Sequence, residues 1–275
     1  MTLTVPAFQV RRVFVALEPD CENLAAIERA ALLAERAHAE LHAIFLEDER
    51  LLDAAALPFT HYVCLSSGAC NALEPATIQR EYRALAERAR RRLEELGRRL
   101  NLASSFEIVR GDRIAALAKV GCDDLLVMET RARTYDRNKY VLTDRFAAAT
   151  CGYACLLLGP VADARRNVLV LYDGSAIADR ALAAARALHG NEPARLILLR
   201  AFGAPPESEL RQRFRGSNPP VDIRDMAAIN AAELRRAVAH AACGLVVVPA
   251  PLIAAHQAEL GDLLPAPPCA LLLVT

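Results

Sequence analysis

Short, continuously apolar runs alternate along this chain with longer stretches in which apolar residues recur every three or four positions. The first run is Val13-Phe-Val-Ala-Leu17, a strand pattern. Glu22–Ala39 follows, where Leu24, Ile27, Ala31 and Ala34 keep helical spacing. Further strands are predicted at Leu41–Leu46, Phe106–Val109, Leu125–Met128 and Cys155–Leu158, with a helix near Arg113–Val120. The order then returns: a strand at Val168–Tyr172, a helix at Ala176–His189 stopped by Gly190, strands at Leu196–Leu199 and Val221–Arg224, a helix at Ala228–Ala242, and strands at Leu245–Val248 and Leu271–Val274. The pattern is one unit written twice.

The copies differ in length. The first strands are offset by 155 (13 to 168) and the third by 115 (106 to 221), so the first copy carries about 40 extra residues between its second and third strands. These are a predicted irregular loop, Asp48–Asn71, and a helix, Glu74–Asn101. In the helix Ile78, Tyr82, Leu85, Ala89, Leu93, Leu96 and Leu100 form one apolar stripe. Its opposite face is rich in arginine, which predicts either packing on its own sheet with a solvated charged face or a docking surface for an anionic partner. Leu57, Pro58, Phe59, Tyr62, Val63 and Leu65 suggest that the loop covers a groove or a partner subunit.

Strands alternating with helices predict an α/β fold with helices on both faces of a parallel sheet. Strands as uniformly apolar as Leu245-Val-Val-Val248 fit burial on both sides. The polar linker Gly159–Asn167 divides the chain into a domain at 1–160, with the insertion at about 48–101, and a shorter domain at 161–275.

Charge narrows the function classes. Lys and Arg together number 33, as do Asp and Glu, which argues against a protein that lives by neutralising nucleic-acid phosphates. The apolar runs are far shorter than a membrane span, and Met1–Val10 lacks the basic and apolar regions of a secretion signal, so a cytoplasmic protein is expected. The cysteines at 21, 64, 70, 122, 151, 155, 243 and 269 include no Cys-x-x-Cys pair and read as free thiols, with Cys64 and Cys70 the most exposed. His38 and His42 straddle a helix end and a strand start, a poor arrangement for metal, and no metal site is expected. Neither a nucleophile elbow nor a serine or cysteine with an evident His and Asp partner is present.

Several segments resemble universal stress proteins. Val168-Leu-Val-Leu-Tyr-Asp-Gly-Ser175 with Ala181-Leu182 and Ala184-Ala185 is similar to that family's opening strand, turn and first helix. Asp124-Leu-Leu-Val-Met128 resembles its fourth strand. Tyr153-Ala-Cys155 and Pro268-Cys269 resemble the approach to its last strand. The resemblance implies two tandem Rossmann-like domains of the adenine nucleotide alpha hydrolase type, each a mostly parallel five-stranded sheet. It also implies an ATP site at the strand carboxyl ends and dimers paired through the last strands. In tandem members the two halves of one chain form that pair, and a homodimer of the whole chain is a further expectation.

Nucleotide-binding members follow the fourth strand with Gly-x-x-Gly, nine residues, then Gly and Ser or Thr. Glycines there let backbone N–H groups reach the phosphates. Laid from Met128, this spacing puts Glu129 and Ala132 at the first two glycine positions and Leu142 at the third, and only the hydroxyl of Thr143 survives. Arg131, Arg133 and Arg137 lie nearby. The corresponding stretch of the second copy, Pro249–Gly261, opens with two prolines and has no glycine pair. Asp173 matches the family's nucleoside-contacting position, and Glu18 is its counterpart in the first copy. On its own, Asp173-Gly-Ser175 reads as a tight turn with a side-chain cap on the next helix; Asp20 or Asn23 would cap the first helix.

The expectation is a non-catalytic stress-response protein without a bound cofactor, working through dimerisation and contact with an unidentified protein. The alternative is a module that binds a nucleotide or other anion in the first copy's cleft through Thr143, Arg131 and Arg133. A nucleotide or phosphoester hydrolase is the remaining possibility and the one with least support in the residues.

Overall fold

The computed structural model describes residues 8–19, 23–64, 66–111, 117–129, 152–159, 167–189, 195–201, 203–217, 220–264 and 267–275. The first copy contributes β1 (Arg12–Leu17), α1 (Asn23–Ala37), β2 (Glu40–Glu47), β5 (Ser104–Arg110), β6 (Asp124–Glu129) and β7 (Ala154–Leu158). Between β2 and β5 lie α2 (Glu49–Ala56), β3 (His61–Val63), β4 (Cys70–Ala72) and α3 (Pro75–Leu100). The second copy contributes β8 (Asn167–Tyr172), α4 (Ala176–His189), β9 (Leu196–Arg200), α5 (Glu207–Arg213), β10 (Val221–Asp225), α6 (Ala231–His240), β11 (Cys243–Pro249), α7 (Ala250–Ala255), α8 (Gln257–Leu260) and β12 (Ala270–Val274).

Ten of the strands form one sheet in the order β10-β9-β8-β11-β12-β7-β6-β1-β2-β5. From the centre outward each copy has the same order, its last strand innermost and its third at the edge, and within this sheet every pairing inside a copy is parallel. The two meet where β12 pairs antiparallel with β7, Leu271 opposite Leu157 and Leu273 opposite Cys155. Successive strand residues point to opposite faces, so two layers of core result. Val13, Val15, Leu17, Val168, Val170 and Tyr172 face α1, α3 and α4. Phe14, Ala16, Leu169, Leu171, Val246 and Val248 face the other side. Each layer draws on both halves of the chain.

The insertion differs from its sequence reading in one respect. Instead of an irregular loop, Asp48–Asn71 contains α2 and most of a two-stranded antiparallel hairpin, with Val63 opposite Cys70. Gly68 at φ +68° helps the hairpin turn. Short polar strands exposed on both faces lack the alternation that identifies a strand in sequence. The helix behaves as its stripe predicts: Ile78, Tyr82, Ala89, Leu93 and Leu96 are buried, Leu85 and Leu100 pack at the flanks, and α3 lies on α1 and β5. Arg92 pairs with Glu28 on α1 and with Glu95, while Arg90 lies 5.2 Å from the Phe106 ring centre. A short helix, α5, between β9 and β10 was not legible in the sequence. Most of the helix expected near Arg113–Val120 falls outside the described residues.

At the amino ends of the central strands each copy has its own clasp. Arg12 donates through Nε and Nη2 to Asp124 at 2.9 and 2.6 Å, and Gly121 N–H donates to the same carboxylate at 2.7 Å. The second copy uses a neutral equivalent: Asn167 donates to the Ala241 carbonyl at 2.7 Å and accepts from Arg195 N–H at 2.8 Å. Both arrangements fix the strand ends opposite the crevice.

Candidate functional site

In an open parallel sheet a ligand crevice forms at the strand carboxyl ends where the strand order reverses. Here that point lies beyond β1 and β6 in the first copy and beyond β8 and β11 in the second.

In the first copy both strands run out into carboxylates. Glu18 follows β1 and is only 7% exposed, and Glu129 closes β6 half-buried. The register sets Ala16 beside Met128, so the two glutamates leave neighbouring strands at nearly the same level. Met128 is partly buried and packs against the core. Both carboxyl groups hold partners of their own; a bare unit-charge pair at about 4 Å repels by roughly 4 kcal/mol at an effective dielectric near 20, and such partners reduce that figure. Arg131, Arg133 and Thr143, with Ala132, Arg137 and Leu142, lie outside the described residues. Asp20 lies outside them too, as does the Asn23 side chain.

In the second copy a capped turn follows β8, with a later segment packed on it. Asp173 Oδ1 accepts from Ser175 N–H at 2.9 Å, and Ser175 Oγ accepts from Ala178 N–H at 3.1 Å, capping α4. Gly174 sits at φ +84°, and a Cβ there would come within 2.7 Å of Pro205. The segment after β9 therefore lies directly on the turn, anchored where Arg200 Nη1 donates to the Pro205 carbonyl at 2.9 Å. Asp173 serves the turn, as its local sequence predicted.

Beyond β11 the position of the family's phosphate loop is taken by α7, α8 and a short 3-10 turn, Gly261–Leu263. Leu252, Ile253, Leu260, Leu263 and Leu264 are all buried in the core. Backbone committed to helix, with its apolar side chains turned inward, offers no glycine-lined concavity for phosphate. The shortness of Pro249–Gly261 was visible in the sequence, but its folding into the core was not.

The fold also assembles contacts that the sequence did not suggest. His42 Nδ1 lies 2.6 Å from Ser105 Oγ and His42 Nε2 3.1 Å from Glu40, with the imidazole stacked on Phe14 at 5.1 Å between ring centres. Nucleophile, base and acid types thus stand in a row, but Glu40 opens β2 at the amino end of the sheet, away from the crevice, and both Glu40 and Ser105 are exposed. Solvated carboxylates orient a base weakly, and this row reads as a cross-strand surface contact. Among the described residues no group of three or more His, Cys, Asp and Glu is placed to hold a metal ion, and no helix is long and apolar enough to cross a membrane.

No family model and no curated protein matches the chain. Its structure does match solved ones. A chain from Pseudomonas aeruginosa UCBPP-PA14 described as a universal stress protein superposes with a TM-score of 0.60 at 17% identity, over 96% of this chain and 92% of that one. A universal stress protein from Archaeoglobus fulgidus DSM 4304 gives 0.62 at 12% identity, over 97% of each. This chain has the fold of universal stress proteins.

Proposed function

We propose that this protein is a universal-stress-type protein that binds no ATP and catalyses no reaction, and that it acts in the stress response through assembly and protein contact. One observation supports the reading: Glu18 and Glu129 stand at the strand ends of the first copy, and a packed apolar segment follows β11 in the second. A scaffold that retains its sheet, its core and its junction, and whose sequence lacks the glycine pairs of both phosphate loops, retains what assembly needs. The intra-chain pairing of β7 with β12 supplies from one chain the two-fold arrangement expected of a pair of domains.

Nucleotide carried through purification tests this directly. Protein isolated without added ligand, denatured in acid and analysed by chromatography with mass detection is expected to release no stoichiometric adenine nucleotide. About one ATP or AMP per chain would overturn the proposal. Light scattering of the same sample measures the assembly state on which the rest of the reading depends.

A further inference from the structure

Beside the Asp173 turn, under α5, a small group of charges is out of balance. Tyr172, the last residue of β8, donates its hydroxyl to Asp179 Oδ1 at 2.7 Å. Arg213 closes the group from α5, donating Nη1 to the Tyr172 oxygen at 2.7 Å and Nη2 to Asp179 Oδ1 at 3.0 Å. The Arg213 guanidinium is 5.5 Å from the Phe214 ring centre, and Arg186, two turns along α4 from Asp179, is 5.6 Å from the same centre. Among the described residues the group therefore holds two guanidiniums against the one carboxylate that bonds either of them.

Arg186 is the unpaired member. Its Nε and Nη2 are buried and, among the described residues, have no hydrogen-bond partner. Burial, and then the like charge of Arg213, hold its guanidinium below the usual arginine range, the direction expected of a cation without a counter-ion. The two orphaned N–H groups are not scattered: Nε and Nη2 lie along one edge of the guanidinium plane and point in parallel. That edge fits two oxygens of a single carboxylate or phosphate.

We propose that Arg186 and Arg213, gathered on Phe214, form a binding site for an oxyanion group, a carboxylate or a phosphate, which takes the empty edge of Arg186. Arg186 keeps part of its surface in solvent, so rotation about its own side-chain bonds brings the edge to an incoming anion without unfolding α5. The site lies between α4 and α5 rather than in the strand-end crevice, and a nucleotide titration repeated with Arg186→Met separates any heat from this site from binding in the crevice.

Inorganic phosphate and acetate are the probes, each titrated into the full-length protein with chloride holding ionic strength constant. A saturable rise in thermal midpoint of about 5 °C is expected with at least one of them, and whichever ion acts identifies the oxyanion class. Arg186→Met abolishes that response and, with no anion present, melts above the unsubstituted protein, because two buried donors without acceptors have been removed. Arg186→Lys keeps the charge, loses the paired edge, and responds at least tenfold more weakly. Equal shifts with and without Arg186 overturn the proposal as non-specific ion effects. No shift with either ion overturns it in favour of ordered water on the edge.

Discussion

At single positions, the residues that matter most are those where backbone meets backbone. A Cβ added at Gly159 would stand 2.4 Å from the Cys269 carbonyl oxygen, on the seam between β7 and β12. Backbone cannot yield there as a flexible side chain could, so Gly159→Ala is expected to cost about 1–3 kcal/mol, read as a lower denaturant midpoint at unchanged slope. Cys64 offers a chemical test at the same scale. Hydrogen bonding, first from Ser66 and then from Ser67, pulls its thiol down to about 6, while burial pushes Cys243 up to about 11. Alkylation followed by peptide mapping should label Cys64 rapidly at pH 7, with a rate that levels off above about pH 7 because thiolate formation is already complete. Ser66→Ala should move that plateau to higher pH. A Cys64 rate still rising steeply at pH 9 contradicts the geometry. Local signals of this kind were partly legible in advance: Asp173-Gly-Ser175 reads as a capped turn because all its bonds lie within six residues. The pressure of Pro205 on Gly174 was not, because it joins segments thirty residues apart.

Among elements, legibility followed burial. Strands covered on both faces announce themselves as unbroken apolar runs, and the α3 stripe was found because one face meets the core and the other meets water. The hairpin of β3 and β4 was missed because nothing covers it; Phe59 beside it is 93% exposed. The segment after β11 was only partly legible, for a different reason. Its missing glycines were plain, but apolar residues spread over two short helices and a turn lack the length for a clear period. Its proposed part in closing the second crevice has a measurable consequence. Ile253 is fully buried there, so Ile253→Ala should destabilise the protein by about 2–5 kcal/mol, followed by urea unfolding. A cost below about 0.5 kcal/mol would mean that this segment is a loose loop, and the second crevice would stand open.

For the whole molecule, the junction decides stability. Both core layers draw on both copies, and β7 and β12 each cover the other's edge. Ending the chain at residue 160, or starting it at 161, leaves one innermost strand with a row of unpaired backbone groups and apolar neighbours. Each half alone is expected to self-associate, forming dimers or larger species by light scattering. Two well-folded monomeric halves contradict the shared core. The doubling itself was readable from the sequence, since offset and order are one-dimensional facts. The joining of the copies into one sheet came only from family resemblance, because pairing between strands more than a hundred residues apart leaves no local trace.

The central claim is that neither crevice accepts a nucleotide. Isothermal titration of Mg·ATP into the full-length protein at about 0.1 M salt measures this most directly. The predicted result is no saturable heat up to millimolar ligand, corresponding to binding weaker than about −4 kcal/mol. A one-to-one isotherm with a micromolar Kd would contradict it, and the carboxylates of Glu18 and Glu129 would then have to be read as part of a nucleotide site rather than a barrier to one.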